Sequence, residues 1–251
     1  MTGETSRVAV VTGAASGMGL AIGRRLADRG HRVALLDLNG DAAQRAAEGL
    51  AAQGGTAIAA RVDVADRAAV DDALQKVRGE LGPIEIMVTS AGVAAFERFA
   101  DITPESWHRI IEVNLTGTFH CLQAAIPDMV AGRWGRIVTI ASSSAQTGAA
   151  RMAHYSASKG GVIALTKTLA REYASFGITV NSIPPSAIDT PMSQQSQRDG
   201  DLPANEALAA RIPVGRVGTP DDIAAACAFL CSEAAGYITG QVLGVNGGSV
   251  M

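Results

Sequence analysis

The 251-residue chain predicts an α/β fold: a single doubly wound domain on a seven-stranded parallel sheet with helices on both faces. Three observations carry this. Short β-branched and aliphatic runs alternate with longer helical patterns from Arg7 to Val245, and such a βαβ chain closes its crossovers right-handed over a parallel sheet. Strand ends repeatedly meet Gly, Ser or Asp, at Gly13, Asp37, Asp63, Ser90 and Ser142, which lines one sheet edge with the small and polar groups that ligands of doubly wound folds use. Apolar residues make up 47% against 4% aromatic and 18% charged, so a large core would be built from Ala, Val, Ile and Leu. No Pro/Gly/Ser-rich linker or charge run divides the chain, so 1–251 is read as one domain.

Composition also excludes. The net charge is −3 and no Lys/Arg cluster follows any face, so nucleic acid is not an expected partner. Neither a signal-length apolar stretch at the N-terminus nor a run of about eighteen apolar residues is present. A cytoplasmic protein without membrane contact is therefore expected. Cys121, Cys227 and Cys231 lie in apolar helical patterns and read as buried thiols, and His31, His108, His120 and His154 lack ligand spacing, so no metal site is expected.

The first strand, Arg7 to Thr12, ends at Gly13, and Met18 to Arg29 then alternates apolar and basic positions as a helix does. Gly13, Gly17 and Gly19 give G-x-x-x-G-x-G, one step from the G-x-G-x-x-G dinucleotide fingerprint. The physics is shared: a tight turn, close backbone approach and helix amides facing an anion. Packing alone would also explain such a turn. The second strand, Arg32 to Leu36, favours the ligand, because it runs into Asp37 about twenty residues past the glycines. A carboxylate there can accept both ribose hydroxyls and would repel a 2′-phosphate. No arginine occupies the glycine turn or follows Asp37 directly, so the expected cofactor is NAD(H) rather than NADP(H). Asn39 or Asp41 is left to cap the next, Ala-rich helix.

An apolar run from Thr56 to Val62 ends at Asp63, a helix covers about Arg67 to Leu81, and Ile84 to Val88 leads into Ser90-Ala91-Gly92. Asp63 and the Ala91-Gly92 turn would flank the adenine and its ribose. Thr103-Pro104-Glu105 starts a helix that can run to about Met129. Asn114 and Gly117 interrupt its apolar pattern, and asparagine competes for backbone bonds. Asn114 either faces solvent or marks a distorted turn with a free carbonyl and a bound water.

A fifth strand, Arg136 to Ala141, delivers Ser142-Ser143-Ser144 to the same edge, and Tyr155 and Lys159 follow at i and i+4 on one helical face. A lysine charge held near a phenol draws its pKa from about 10 toward neutrality, so Tyr155 could pass a proton. An exposed aromatic beside a solvated lysine is the plainer alternative. That helix continues to about Phe176 with Ala157, Gly160, Gly161 and Ala164 along one side, and Ile178 to Ile183 is a sixth strand. Periodicity then stops from Pro184 to about Ala204, a polar stretch whose length suits a lid or binding loop. Thr219-Pro220-Asp221-Asp222 caps a last helix through Leu230, and Gln241 to Val245 is the expected seventh strand.

Together, Thr12-Gly13-Ala14-Ala15-Ser16-Gly17-Met18-Gly19, Asp63-Val64, Asn114, Ser142, Tyr155 to Lys159 and Val245-Asn246-Gly247-Gly248, in this order and spacing, resemble the short-chain dehydrogenase/reductases over essentially the whole chain. The 3-oxoacyl-[acyl-carrier-protein] reductase type is the most similar. The resemblance implies a Rossmann domain, a homotetramer and a substrate lid around 184–212. It assigns Tyr155 as proton donor or acceptor and Lys159 as the group that depresses its pKa and holds the nicotinamide ribose. Ser142, thirteen residues before Tyr155, would polarise the carbonyl oxygen, and Asn114 would anchor a water behind Lys159. Ser143 and Ser144 are read as loop hydroxyls. Implied cofactor contacts are Gly13, Ser16, Gly17, Met18 and Gly19 in the turn, Asp37 and Leu38, Asp63 and Val64, Ser90, Ala91 and Gly92, and Pro185, Ile188 and Thr190, besides Tyr155 and Lys159.

Departures from the family pattern matter. Ser90 replaces the family's Asn, and Pro185-Ser186 after Pro184 replaces its Pro-Gly. Arg133 matches one of two basic positions that hold an acidic carrier protein beside the active-site mouth, whereas Phe176 occupies the other. The expected activity is therefore NAD(H)-dependent interconversion of a secondary alcohol and a ketone on a small molecule. The alternatives are a 3-oxoacyl-carrier-protein or CoA-linked reductase, and a catalytically silent dinucleotide-binding scaffold, against which the set Asn114, Ser142, Tyr155 and Lys159 speaks.

Overall fold

A computed structural model describes residues 5–251. The first half alternates β1 (Val8–Thr12), α1 (Gly17–Asp28), β2 (Arg32–Asp37), α2 (Gly40–Ala52), β3 (Thr56–Arg61), α3 (Arg67–Leu81) and β4 (Ile86–Thr89). Then come α4 (Pro104–Ile111), a π-helical turn (Glu112–Thr116), α5 (Gly117–Gly132), β5 (Gly135–Ile140), a short α6 (Ser144–Thr147), α7 (Ala153–Tyr173) and β6 (Ile178–Ile183). The last helices are α8 (Pro191–Arg198), α9 (Asn205–Ala209) and α10 (Pro220–Leu230). Among the described residues no helix is long and apolar enough to cross a membrane.

Among the described residues the sheet has six parallel strands in the order β3-β2-β1-β4-β5-β6, not seven. The expected seventh, 241–245, meets β6 in an isolated bridge rather than a ladder, Ser182 to Val242, with Ser182 N donating to Gln241 O at 2.9 Å and Leu243 N to Ser182 O at 2.8 Å. A second bridge joins Val245 to Pro185 beyond the end of β6. Two causes are local. Gly240 and Gly247 hold φ of 71° and 63°, which breaks extended backbone at both ends. The Asn181 side chain takes part of the ladder's role, accepting from Gln241 N at 3.1 Å and donating to Ile238 O at 2.8 Å.

The period-two alternation of the strands divides the core. Ala9, Val11, Val33 and Leu35 pack against α1, α2 and α10, whereas Val8, Val10, Ala34 and Leu36 pack against α3, α5 and α7. Cys121, Cys227 and Cys231 are buried thiols within these layers.

The strands' N-terminal edge is closed by charge rather than by aliphatic packing. The Trp134 ring lies between two guanidiniums, Arg7 at 4.0 Å and Arg136 at 4.4 Å from its centroid, and its Nε1 donates to Glu233 at 3.2 Å. Arg136 is 3% exposed, and burial lowers its pKa despite the ring and Glu233 at 3.7 Å, which offset the desolvation only in part. Trp134→Ala is expected to lower unfolding free energy by about 2–4 kcal/mol, measured by urea denaturation. Cofactor affinity should stay unchanged, since Trp134 precedes β5 and the ligand edge follows the strands' other ends.

Candidate active site

β1 ends in a turn that only glycine fits at two points. A Cβ on Gly13, whose φ is 65°, would lie 2.7 Å from the Ala91 Cα, and one on Gly19 would overlap the Gly13 carbonyl. The turn is thus pressed against the end of β4, and the Thr12 hydroxyl accepts from Ser90 N and Ala91 N, both at 3.1 Å. Ser16 is the N-cap of α1 yet makes no side-chain cap bond, and the first turn carries no acidic residue. The helix amides between Gly17 and Gly19 therefore suit an anion. A Cβ on Gly17 would first meet Thr190 and Pro191, at 3.6 Å, so the start of α8 roofs the turn, beside Met18.

Asp37 is fixed as an acceptor. Its Oδ2 accepts from Ala15 N and its Oδ1 from Asn39 N, both at 2.9 Å, and an ionised carboxylate keeps lone pairs for two further hydroxyls. Asn39 caps α2 through Ala42 N at 3.1 Å, and Leu38 is exposed beside it. Strand register adds a residue that sequence reasoning missed: Arg61, exposed, pairs with Asp37 across β2 and β3. Asp63 is exposed and accepts from Ala65 N at 3.0 Å. The Val64 side chain is buried against the Gly117 backbone, which leaves its main chain as the part that could face a ligand. These features fit a dinucleotide: a glycine cradle for pyrophosphate, a pinned carboxylate for ribose, and Gly92 and Thr190 further along the same edge.

Asn114 is fully buried, which overturns the solvent-facing alternative, and the helix around it widens to a π turn. Its Oδ1 accepts from Val93 N at 2.8 Å, and its Nδ2 donates to Val93 O at 3.0 Å and Ser158 Oγ at 3.1 Å. The expected free carbonyl is not free: Asn114 O accepts from the Thr118 hydroxyl at 2.8 Å. A side chain on Gly92 would sit 3.2 Å from Asn114 Oδ1 and 3.5 Å from Lys159 Nζ. Its absence keeps this corner open.

Lys159 is 4% exposed and its Nζ donates to Ile140 O at 2.8 Å. Burial lowers its pKa to about 8. Tyr155 is hydrogen-bonded to Ser142, yet its pKa is raised, because burial outweighs that bond. The expected depression by Lys159 is thus not present in the free protein, where Nζ lies 5.9 Å from the phenol ring centroid and burial governs both groups. Ser144 is more than a loop hydroxyl: buried, it donates to Ser142 Oγ at 2.9 Å and orients it. His154, also missed, is fully buried, and its Nδ1 accepts from Tyr155 N at 2.9 Å.

Above the Ser142 and Tyr155 pair is an apolar cavity of about 280 Å³ whose lining includes Met18, Phe96, Met152, Ile188, Met192 and Leu208. Its roof is the stretch after β6, and here the structure is more regular than expected. Pro185 O accepts from Ser143 N at 2.8 Å. Ile188 bridges to Gly218. Thr190 then caps α8 in a reciprocal capping box with Ser193. Arg133, expected at this mouth, lies at the opposite sheet edge before β5, 5.9 Å from the Phe176 ring and donating to Ser175 O at 3.0 Å.

A helix N-terminus shaped for pyrophosphate, sharing its cleft with a half-buried phenol and a buried amine, defines an oxidoreductase that uses a nicotinamide dinucleotide on hydroxyl and keto groups. Comparison with known proteins makes the class specific. Residues 13–249 match the family model described as Enoyl-(Acyl carrier protein) reductase, and the chain belongs to the short-chain dehydrogenase/reductase family. It is 39% identical over 245 residues to the 3-oxoacyl-[acyl-carrier-protein] reductase FabG of Escherichia coli, covering 98% of both chains. It is 40% identical to D-threitol dehydrogenase of Mycolicibacterium smegmatis, covering 96% of this chain and 92% of that one. Among solved structures, gox2181 superposes with a TM-score of 0.92 at 34% identity, over 97% of this chain and 95% of that one.

Proposed function

We propose that the protein is an NAD(H)-dependent dehydrogenase that interconverts a secondary alcohol and a ketone on a small, mostly apolar molecule. The observation that carries this reading is the hydrogen-bonded pair of Ser142 and Tyr155 on the wall of an apolar cavity of about 280 Å³. When bound, the nicotinamide supplies or receives the hydride. The chain's own groups handle the oxygen. In the reducing direction the Ser142 hydroxyl donates to the carbonyl oxygen, aimed by Ser144, and Tyr155 gives that oxygen its proton. The raised pKa of Tyr155 keeps the phenol protonated at neutral pH, the form that donation needs. Lys159 stabilises the phenolate that results, and its ammonium would hold the ribose hydroxyls. Asn114 holds Val93 and Ser158 in place behind it. In the oxidising direction Tyr155 takes the proton back.

Asp37 supports NAD(H), since its pinned carboxylate accepts ribose hydroxyls and repels a phosphate. Asp37→Ser removes that repulsion beside Arg61, and the NADP-to-NAD ratio of kcat/KM is expected to rise at least about tenfold. An unchanged ratio, read by steady-state kinetics with both cofactors, would remove Asp37 from selectivity. The reading also includes a homotetramer, supported by the exposed Phe119 on α5 and the exposed Tyr237 and Leu243 near the C-terminus.

A 3-oxoacyl carrier-protein or CoA-linked reductase is the second reading, supported by the carrier-protein reductase among the relatives. Against it stand Glu97, Glu105, Asp199 and Asp201 around the outer mouth, which oppose an acidic carrier, and the position of Arg133. A panel of secondary alcohols with NAD, read by NADH absorbance and run beside acetoacetyl-CoA with NADH and NADPH, separates the two. Turnover confined to acetoacetyl-CoA with NADPH would overturn the first.

A further inference from the structure

Two cavities share one wall above Ser142 and Tyr155. The inner one is the apolar cavity of about 280 Å³, and the outer one is an open groove of about 690 Å³ whose lining carries Glu97, Glu105, Arg109, Asp199 and Asp201. Ala94, Phe96, Met192 and Ser196 line both. The partition is therefore made of two pieces, the strap after β4 and the helix α8 of the roof. Met192 and Ser196, one turn apart, are the helix's half of it.

One side chain fastens the strap to the turn that follows α8, where Asp201 N donates back to Ser196 O at 2.9 Å. The Nη2 of Arg151 donates to Phe96 O at 2.9 Å and to Asp201 Oδ1 at 2.8 Å. The Arg151 carbonyl accepts from Glu97 N at 2.7 Å, so the strap is held at two successive residues. Arg151 adopts a left-handed backbone, φ 65°, without being a glycine. That conformation persists in a residue with a side chain only where its surroundings enforce it, and such residues gather at binding sites.

We propose that Arg151 is a specificity-determining residue: by tying Phe96 to Asp201 it keeps the partition shut and confines substrates to the inner cavity. Molecules whose chains would run on into the groove are rejected. With the tie cut, the groove joins the cavity and admits neutral or cationic extensions before anionic ones, because its carboxylates outnumber its arginines. The substrate class rests on the alcohol and ketone reading above; the tie itself does not.

Two variants test it. Arg151→Gly keeps the left-handed backbone and the carbonyl bond to Glu97 while removing the guanidinium, and Asp201→Ala cuts only the bond to the roof. Each is assayed with 2-alkanols of about four to about ten carbons, and for amide hydrogen exchange across residues 191–201. Both should keep kcat/KM for the shortest alcohols within about threefold, raise it at least about tenfold for the longest, and speed exchange of the segment by at least about tenfold. An unchanged ratio of long to short substrates, or unchanged exchange in both variants, overturns the proposal. Should Arg151→Gly fail to fold, Asp201→Ala decides alone. Should the wild type oxidise no alcohol, the reading of function falls, and exchange still decides the tie: faster supports it, unchanged overturns it.

Discussion

Tyr155→Phe is expected to lower kcat by about 10²–10⁴-fold, the range for losing a positioned general acid-base, with the cofactor Kd within about twofold. The substitution removes one hydroxyl from a residue that remains packed at the head of α7, so thermal unfolding should barely move. The pH profile carries the same claim in the wild type. Burial raises the Tyr155 pKa in the free protein, so ketone reduction, which needs the phenol, should hold through neutral pH and fall only in the alkaline range. Alcohol oxidation, which needs the phenolate, should rise over that range. Retained turnover in the phenylalanine variant would assign the proton to another group.

Lys159→Met is the second large effect, and it separates activity from stability. Losing the ammonium is expected to lower kcat/KM by at least about 10²-fold, since both the phenolate and the ribose hydroxyls lose a charged donor. Stability should move the other way. Lys159 has a folded pKa of about 8 against 10.5 for a free lysine, so between those values this side chain binds more protons in the unfolded chain and its contribution to stability rises with pH. Below about pH 8 the whole penalty is present, about 3 kcal/mol. Methionine removes it at the cost of an unpaired Ile140 carbonyl, about 1–3 kcal/mol. Burial raises the Cys121 and Cys227 thiols, which lowers the stability of both proteins as pH climbs past about 9. The Lys159 account is therefore read in the difference: wild-type stability relative to the variant should rise by about 3 kcal/mol from about pH 8 to about pH 10.5. Urea titrations of the cofactor-free protein at several pH values measure both slopes, and equal slopes would contradict the buried-amine account.

Much of the site was legible because its chemistry is written in short spacings. The glycines of the first turn, the aspartate ending the second strand, and the tyrosine and lysine one helical turn apart all lie near the residues that fix their geometry. Asn114 could be recognised as a misfit in an apolar helix, and the structure answers with a π turn and a buried side chain. What sequence could not show is what three-dimensional neighbours decide. Arg61 comes beside Asp37 only through strand register. Arg133 falls at the far edge of the sheet because it precedes a strand whose other end carries the serines. The Tyr155 pKa follows burial, which no spacing reveals. The roof after β6 was partly readable: Thr190-Pro191 repeats the cap signature of Thr103-Pro104 and Thr219-Pro220, and all three start helices. The seventh strand failed for a local reason, glycines with left-handed backbone on both sides of it.

The central claim is that this cleft moves a hydride between a carbinol carbon and a nicotinamide while Tyr155 moves the proton. Secondary alcohols deuterated at the carbinol carbon, incubated with NAD and the wild-type protein and read by mass spectrometry of the reduced cofactor, test it most directly. The account predicts reduced cofactor carrying the deuterium, formed far more slowly by the Tyr155→Phe variant. Reduced cofactor without deuterium, or equal rates from the two proteins, would contradict it.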